Sequence, residues 1–171
     1  MNEPNDTLSE MLKGAIESAR AAGRHDVADY LALRAANDAV RQAGVQWLLD
    51  SLIEIAMDRR NDHLGIAVDR TEPHSFSHLN ANLTGSRINV RHGVRCLSVE
   101  AGWTRTPADG FMRGGAMAVA RITHFGLPKQ NENLYLVPTE GLPAWKNADS
   151  VRDAKAFTIN DLKRHFAVLI D

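Results

Sequence analysis

Residues Ser86–Trp103 constrain this chain most, because apolar and polar side chains alternate on both sides of His92-Gly93. That is the period of a half-buried strand, met twice in succession. If His92-Gly93 is a two-residue loop, glycine supplies the positive φ freely and histidine is enriched in that region. Arg91 then stands opposite Val94, Asn89 opposite Cys96, Ile88 opposite Leu97 and Arg87 opposite Ser98. Directly opposed residues share a face. One face therefore collects Ile88, Val90, Leu97, Val99 and Ala101, and the other Arg87, Asn89, Arg91, Cys96, Ser98 and Glu100. A slip of one residue would turn every side chain over. Arg95 is the misfit, at the hairpin tip within reach of water.

Upstream, the period is helical. Thr7-Leu8-Ser9-Glu10 matches a capping box, and Leu8, Met11, Leu12, Ala15, Ile16 and Ala19 follow at three- and four-residue steps. Gly23 supplies a stop, so a helix is predicted over about 8–22. A second is predicted over about 26–43, with Val27, Tyr30 and Leu31 on one face, and Gly44 as its kink or break. A third, about 45–59, carries Trp47, Leu48, Leu49, Leu52, Ile53, Ile55, Ala56 and Met57. Its apolar arc is wider than one face, so it is the helix expected to be buried.

Downstream, Leu64–Asp69 reads as a short strand broken by Pro73, with 74–82 a loop or a single helical turn. Thr106-Pro-Ala-Asp-Gly110 is turn chemistry. Residues 116–125 carry both signals: alanines and Gly126 for a helix, Val119, Ile122, Thr123 and the short length for a strand paired with 94–103. Leu134–Val137 is a strand ended by Pro138, 139–150 a loop carrying Trp145. Thr158-Ile-Asn-Asp161 opens a last helix with Leu162, Phe166 and Leu169 on its core face. The expected class is α+β: N-terminal helices packed on an antiparallel sheet of four to six strands, closed by a C-terminal helix. A length of 171 residues fits a single domain, helical over residues 1–60, sheet-rich over 61–138, and a loop followed by a helix over 139–171.

Charge is uneven. Residues 1–58 hold ten acids and five bases, whereas 59–124 hold nine arginines, no lysine and five acids. Arginine's planar fork suits carboxylate or phosphate partners. Cys96 is the only cysteine, so no internal disulfide is possible, and a reducing compartment fits. The first six residues lack a basic and an apolar stretch, so no secretory leader is expected. No apolar run approaches the roughly 18 residues that a membrane span needs. The expected location is the cytoplasm, without a membrane partner.

Several groups invite chemistry. His74 and His78 stand at i, i+4, a metal-ligand spacing if the segment is helical; Asp69, Glu72, His92 or His124 would complete the shell, but no third ligand is fixed by spacing. Asp69 with Glu100 resembles the paired carboxylates of metal-dependent nucleases, but no lysine follows Glu100. Arg113-Gly-Gly115 would form an anion site only if it opened a helix. It is neither a Walker nor a Rossmann pattern, and no cofactor is expected. Cys96 beside His92 or His124 would make a nucleophile, against the commoner reading of a half-buried apolar residue.

The arginine face weighs more. The sequence is read as a non-catalytic binding or regulatory module, in which Arg87, Arg91, Arg105 and Arg113 contact an anionic small molecule or an acidic protein surface while Asn89 and Glu100 orient them. The alternatives are a nucleic-acid-associated protein, and a metal-dependent hydrolase or nuclease built on Asp69, His74, His78 and Glu100. Against nucleic acid stand a pI of about 6.7 and a face without interleaved aromatics. Ligand identity and oligomeric state are not written in the sequence.

Overall fold

The computed structural model describes residues 3–147 and 155–171, with side chains from residue 9 onward. Helix α1 is Glu3–Ala21, α2 is His25–Ala56 and α3 is Ile159–Ile170. Between α2 and α3 lie six strands: β1 (Ala67–His78), β2 (Ala81–His92), β3 (Arg95–Trp103), β4 (Ala118–His124), β5 (Glu132–Val137) and β6 (Ala144–Asn147). They form one antiparallel sheet in the order of the sequence, so the class is α+β as expected. No helix among the described residues is long and apolar enough to cross a membrane.

The chain divides into two compact units, Met1–Gln42 and Ala43–Asp171, and α2 runs through the boundary. In the first unit α1 begins at Glu3, so Thr7 lies inside the helix instead of capping it; the side chains of Thr7 and Leu8 are outside the described residues. The stop at Gly23 is a Schellman motif. Gly23 has φ 72°, its N–H donates to the Arg20 carbonyl at 3.0 Å, and the Arg24 N–H donates to Ala19 at 2.8 Å.

Gly44 does not interrupt α2. It is where that helix meets the sheet: a Cβ there would stand 2.6 Å from Cδ2 of Leu136, and the Gly44 carbonyl accepts from the Trp145 indole at 3.0 Å. From there Val45, Leu48, Leu49, Leu52 and Ala56 bury against Ile88, Val90, Leu97, Val99, Ile122, Leu134 and Leu136. The helix ends at Ala56, short of 59. Asp58 then accepts the Arg60 N–H at 2.9 Å and starts a short 3-10 turn, Arg59–Leu64, ended by Gly65 at φ 63°. The hydrogen bonds from Arg60 hold the Asp58 carboxyl down to about 2. Leu64 therefore belongs to this turn and not to a strand.

Pro73 does not end β1. The ladder shifts register between Thr71 and His74 and resumes with His74 opposite Gly85, and the Glu72–Pro73 peptide is cis. β1 is an edge strand, where a proline's missing N–H need cost no ladder bond. Residues 74–78 are thus strand, correcting the expected loop or helical turn. The expected 139–150 loop is also partly corrected: residues 144–147 pair with 134–137 as β6, while 148–150 lie outside the described residues. The ambiguous 116–125 segment is strand β4, with Ile122 opposite Val99. α3 starts after Thr158, whose N–H and hydroxyl both donate to Asp161, at 2.9 and 3.0 Å.

In the β2–β3 hairpin the two-residue loop is Gly93-Val94 instead of His92-Gly93. His92 pairs with Arg95, Val90 with Leu97, Asn89 with Ser98 and Arg87 with Glu100. Only one positive φ is needed; Gly93 supplies it at 58°, and Val94 takes the second place 92% exposed. Each residue's partner moves by two places, an even number, so the faces predicted from the alternation survive. Ile88, Val90, Leu97, Val99 and Ala101 are fully buried on the inner face under α2 and α3. Arg95 reaches the carbonyl of Val168 in α3 at 3.2 Å.

Candidate functional site

The outer face of the sheet is set by register. One row across β1, β2, β3 and β4 is Asp69, Asn89, Ser98 and Thr123, and the next is Thr71, Arg87, Glu100 and Arg121. Of the residues singled out above, Arg87, Asn89, Arg91 and Glu100 therefore share one surface. Asn89, 8% exposed, is its hub. Its Oδ1 accepts from Arg87 Nε at 3.0 Å and from Ser98 Oγ at 2.7 Å, while its Nδ2 donates to Asp69 Oδ2 at 2.9 Å. Arg91 pairs with Asp69 at 3.1 Å. Arg87 reaches Ser98 Oγ only at 3.5 Å, and among the described residues no carboxylate lies within ion-pair distance of it.

Glu100 stands opposite Arg87, yet both of its oxygens are engaged elsewhere. Oε2 meets His74 Nε2 at 2.7 Å and Oε1 meets Arg121 at 3.2 Å. His74 is on β1 and Glu100 on β3, so the imidazole must pass over β2. The β2 residue beside His74 is Gly85, which puts no side chain in the way. Arg121 also donates to the Ser77 carbonyl at 2.6 Å.

At the end of this face near the β1–β2 turn, Ala81, Leu83 and Val119 form a small second core with Phe76, Met112 and Tyr135. His78 borders it and meets the Tyr135 hydroxyl at 2.8 Å. Burial first, then the charges of Arg121 and Arg113, hold its imidazole below the ordinary histidine range. Kept neutral, it can accept the tyrosine O–H.

The remaining candidates lie apart. Arg105 stacks on the Trp103 ring at 3.8 Å and donates to the Thr84 carbonyl at 3.1 Å. Its backbone N–H and that of Thr106 donate to Asp109, which lowers the Asp109 pKa. Arg113 is exposed in a three-residue 3-10 turn, with Gly114 and Gly115 at positive φ. A strand follows, so no helix N-terminus forms there. His74 and His78 are in extended chain, about 13 Å apart along β1 at the usual strand rise, and Asp69 is bound to Asn89 and Arg91. Among the described residues no three His, Cys, Asp or Glu side chains are placed to hold a metal ion. Cys96 contacts Ser98 Oγ at 3.6 Å on the outer face, whereas His92 and His124 belong to inner-face positions.

Sequence reasoning missed the His78–Tyr135 pair, whose members are 57 residues apart. It also missed a second cluster on the inner face, Glu132, His165 and His124. The helical spacing of α3 does put His165 beside Leu162, Phe166 and Leu169, and that was the available signal. No family model matches this chain, and no curated protein or solved structure is significantly similar to it.

Proposed function

We propose that this protein is a non-catalytic cytoplasmic binding module whose outer sheet face holds a phosphate or carboxylate group, on a small molecule or an acidic protein surface. The supporting observation is Arg87. Its neighbours on the sheet have paired off, Arg91 with Asp69 and Arg121 with Glu100, while its own hydrogen-bond partners, Asn89 and Ser98, are neutral. A half-buried guanidinium has lost part of its hydration while no carboxylate among the described residues comes within ion-pair distance of it, and an anion over the Arg87–Arg121 row would supply that charge. Asn89 and Ser98 hold the fork at the strand surface, so little side-chain freedom is lost on binding. Arg105 and Arg113 are not part of this contact.

The test is thermal shift with phosphate, pyrophosphate and citrate at low and at moderate salt. A ligand of the native state raises stability by mass action. Arg87→Ala should abolish the shift while lowering stability by no more than about 1 kcal/mol, the scale of one hydrogen bond. A shift that persists in this variant would move the contact elsewhere. A steep fall of binding to generic DNA with salt, instead of any shift with small anions, would favour nucleic acid.

A further inference from the structure

The inner face carries three ionisable groups in series. His124 is on β4, Glu132 on β5 and His165 on α3, and both histidines are 4% exposed. His124 Nε2 lies 2.9 Å from His165 Nδ1, and His165 Nε2 lies 2.8 Å from Glu132 Oε2. The ring centroids are 5.2 Å apart and the planes 25° from parallel, which with the short nitrogen–nitrogen distance sets the rings end to end. Asn147 of β6 donates to the other Glu132 oxygen, and the His165 hydrogen bond is the main cause lowering the Glu132 pKa. Of the other charged groups on these elements, Arg164 of α3 lies 3.9 Å from Glu132 and 3.5 Å from Asp161, Arg95 ends on the Val168 carbonyl, Arg121 and Glu100 pair on the outer face, and Lys163 of α3 and Lys146 of β6 complete the set. From α2 this core receives Val45, Leu48, Leu49, Leu52 and Ala56, all apolar.

The proton arithmetic of this chain is restrictive. With both imidazoles neutral, ionised Glu132 accepts the His165 Nε2–H, which leaves His165 Nδ1 to accept the His124 Nε2–H. One added proton can be housed: His165 takes it on Nδ1 beside the carboxylate, and His124 shifts to its Nδ1–H tautomer and accepts through Nε2. A second proton cannot. Both facing nitrogens would then carry hydrogen, and two imidazolium rings would face each other out of water.

We propose that Glu132–His165–His124 is an acid-released latch for α3, closed with no or one added proton and opened by the second. Its loss acts on α3 because His165 is the helix's contribution, and the Arg95–Val168 contact is the other hydrogen bond described between α3 and the sheet. Burial first, then the His165 charge, pushes His124 down to about 4 from 6.5. The sign follows. Above pH 6.5 neither the released nor the latched state protonates His124, and the latch has full strength. As pH falls toward 4 the released state takes the proton and the latched state does not, so the latch weakens, by about 300-fold in all.

Native-state hydrogen exchange on the whole chain, corrected for the intrinsic rate at each pH, tests this. Protection of Leu162–Leu169 amides should fall roughly 50-fold between pH 7 and 4.5, while Ile88 and Val99 amides change much less. His124→Gln keeps an N–H donor toward His165 but does not titrate, so the α3 slope should vanish. Should that variant fail to fold, nitrogen-15 histidine spectra of the wild type decide: His124 must be the Nε2–H tautomer at pH 7.5, and the pair must take its second proton only below about pH 5. A common pH profile for α3 and β2–β3 amides, a slope retained in His124→Gln, or the Nδ1–H tautomer at pH 7.5 overturns the proposal.

Discussion

Gly85→Ala should lower the stability of this protein by about 3 kcal/mol or more, at or beyond the upper end of ordinary overpacking costs. An added Cβ would lie 1.9 Å from the Ala101 carbonyl oxygen and 2.6 Å from the Gly102 Cα. Both are backbone atoms in the central hairpin, so no rotamer change relieves the clash; β2 and β3 must separate. The same shift would disturb the passage of His74 over β2 to Glu100. Gly44→Ala is the control. The three atoms nearest its Cβ would all belong to the Leu136 side chain and none to backbone, so a small shift of one side chain relieves the overlap without parting strands, and alanine recovers about 1 kcal/mol of helix propensity. Urea unfolding of both variants separates the cases. A Gly85→Ala midpoint equal to the wild type's would mean that the strands do not approach so closely.

The second large effect is expected at Leu52→Ala, with a loss of about 2–5 kcal/mol. Leu52 is fully buried where α2 lies on the inner face, and truncation leaves a cavity between helix and sheet that neither can easily close. Leu33→Ala, in the same helix but 62% exposed, should change stability by no more than about 0.5 kcal/mol. If the two variants unfold alike in denaturant, the packing of the C-terminal half of α2 on this sheet is wrong.

What the sequence disclosed and what it withheld have separate physical causes. The hairpin faces were legible because side-chain direction depends only on parity, so a register displaced by two places still sorted Ile88 and Leu97 inward and Arg87 and Asn89 outward. The loop position was not, because His-Gly and Gly-Val both satisfy the turn. Gly44 was misread because a glycine inside a helix looks the same whether it breaks the helix or lets a partner come close, and Leu136 is 92 residues away. β1 was cut short because Pro73 ends a central strand but not an edge strand, and edge position is a tertiary fact. Tyr135 and Glu132 were passed over for the same reason: what matters about them is the histidine each one meets, and nothing local announces that meeting.

The order of the strands bears on how the chain reaches this state. Every strand pairs with its neighbour in sequence, so the sheet grows by a series of short loop closures, the cheapest kind entropically. The expensive closure is the one that brings Gly44 to Trp145, across 101 residues. Folding should therefore be limited by the seating of α2 on a sheet that has largely formed. Mutations at the Gly93-Val94 tip, already closed at that step, should slow refolding with little effect on unfolding, whereas those at the helix–sheet contact should divide their effect between the two rates.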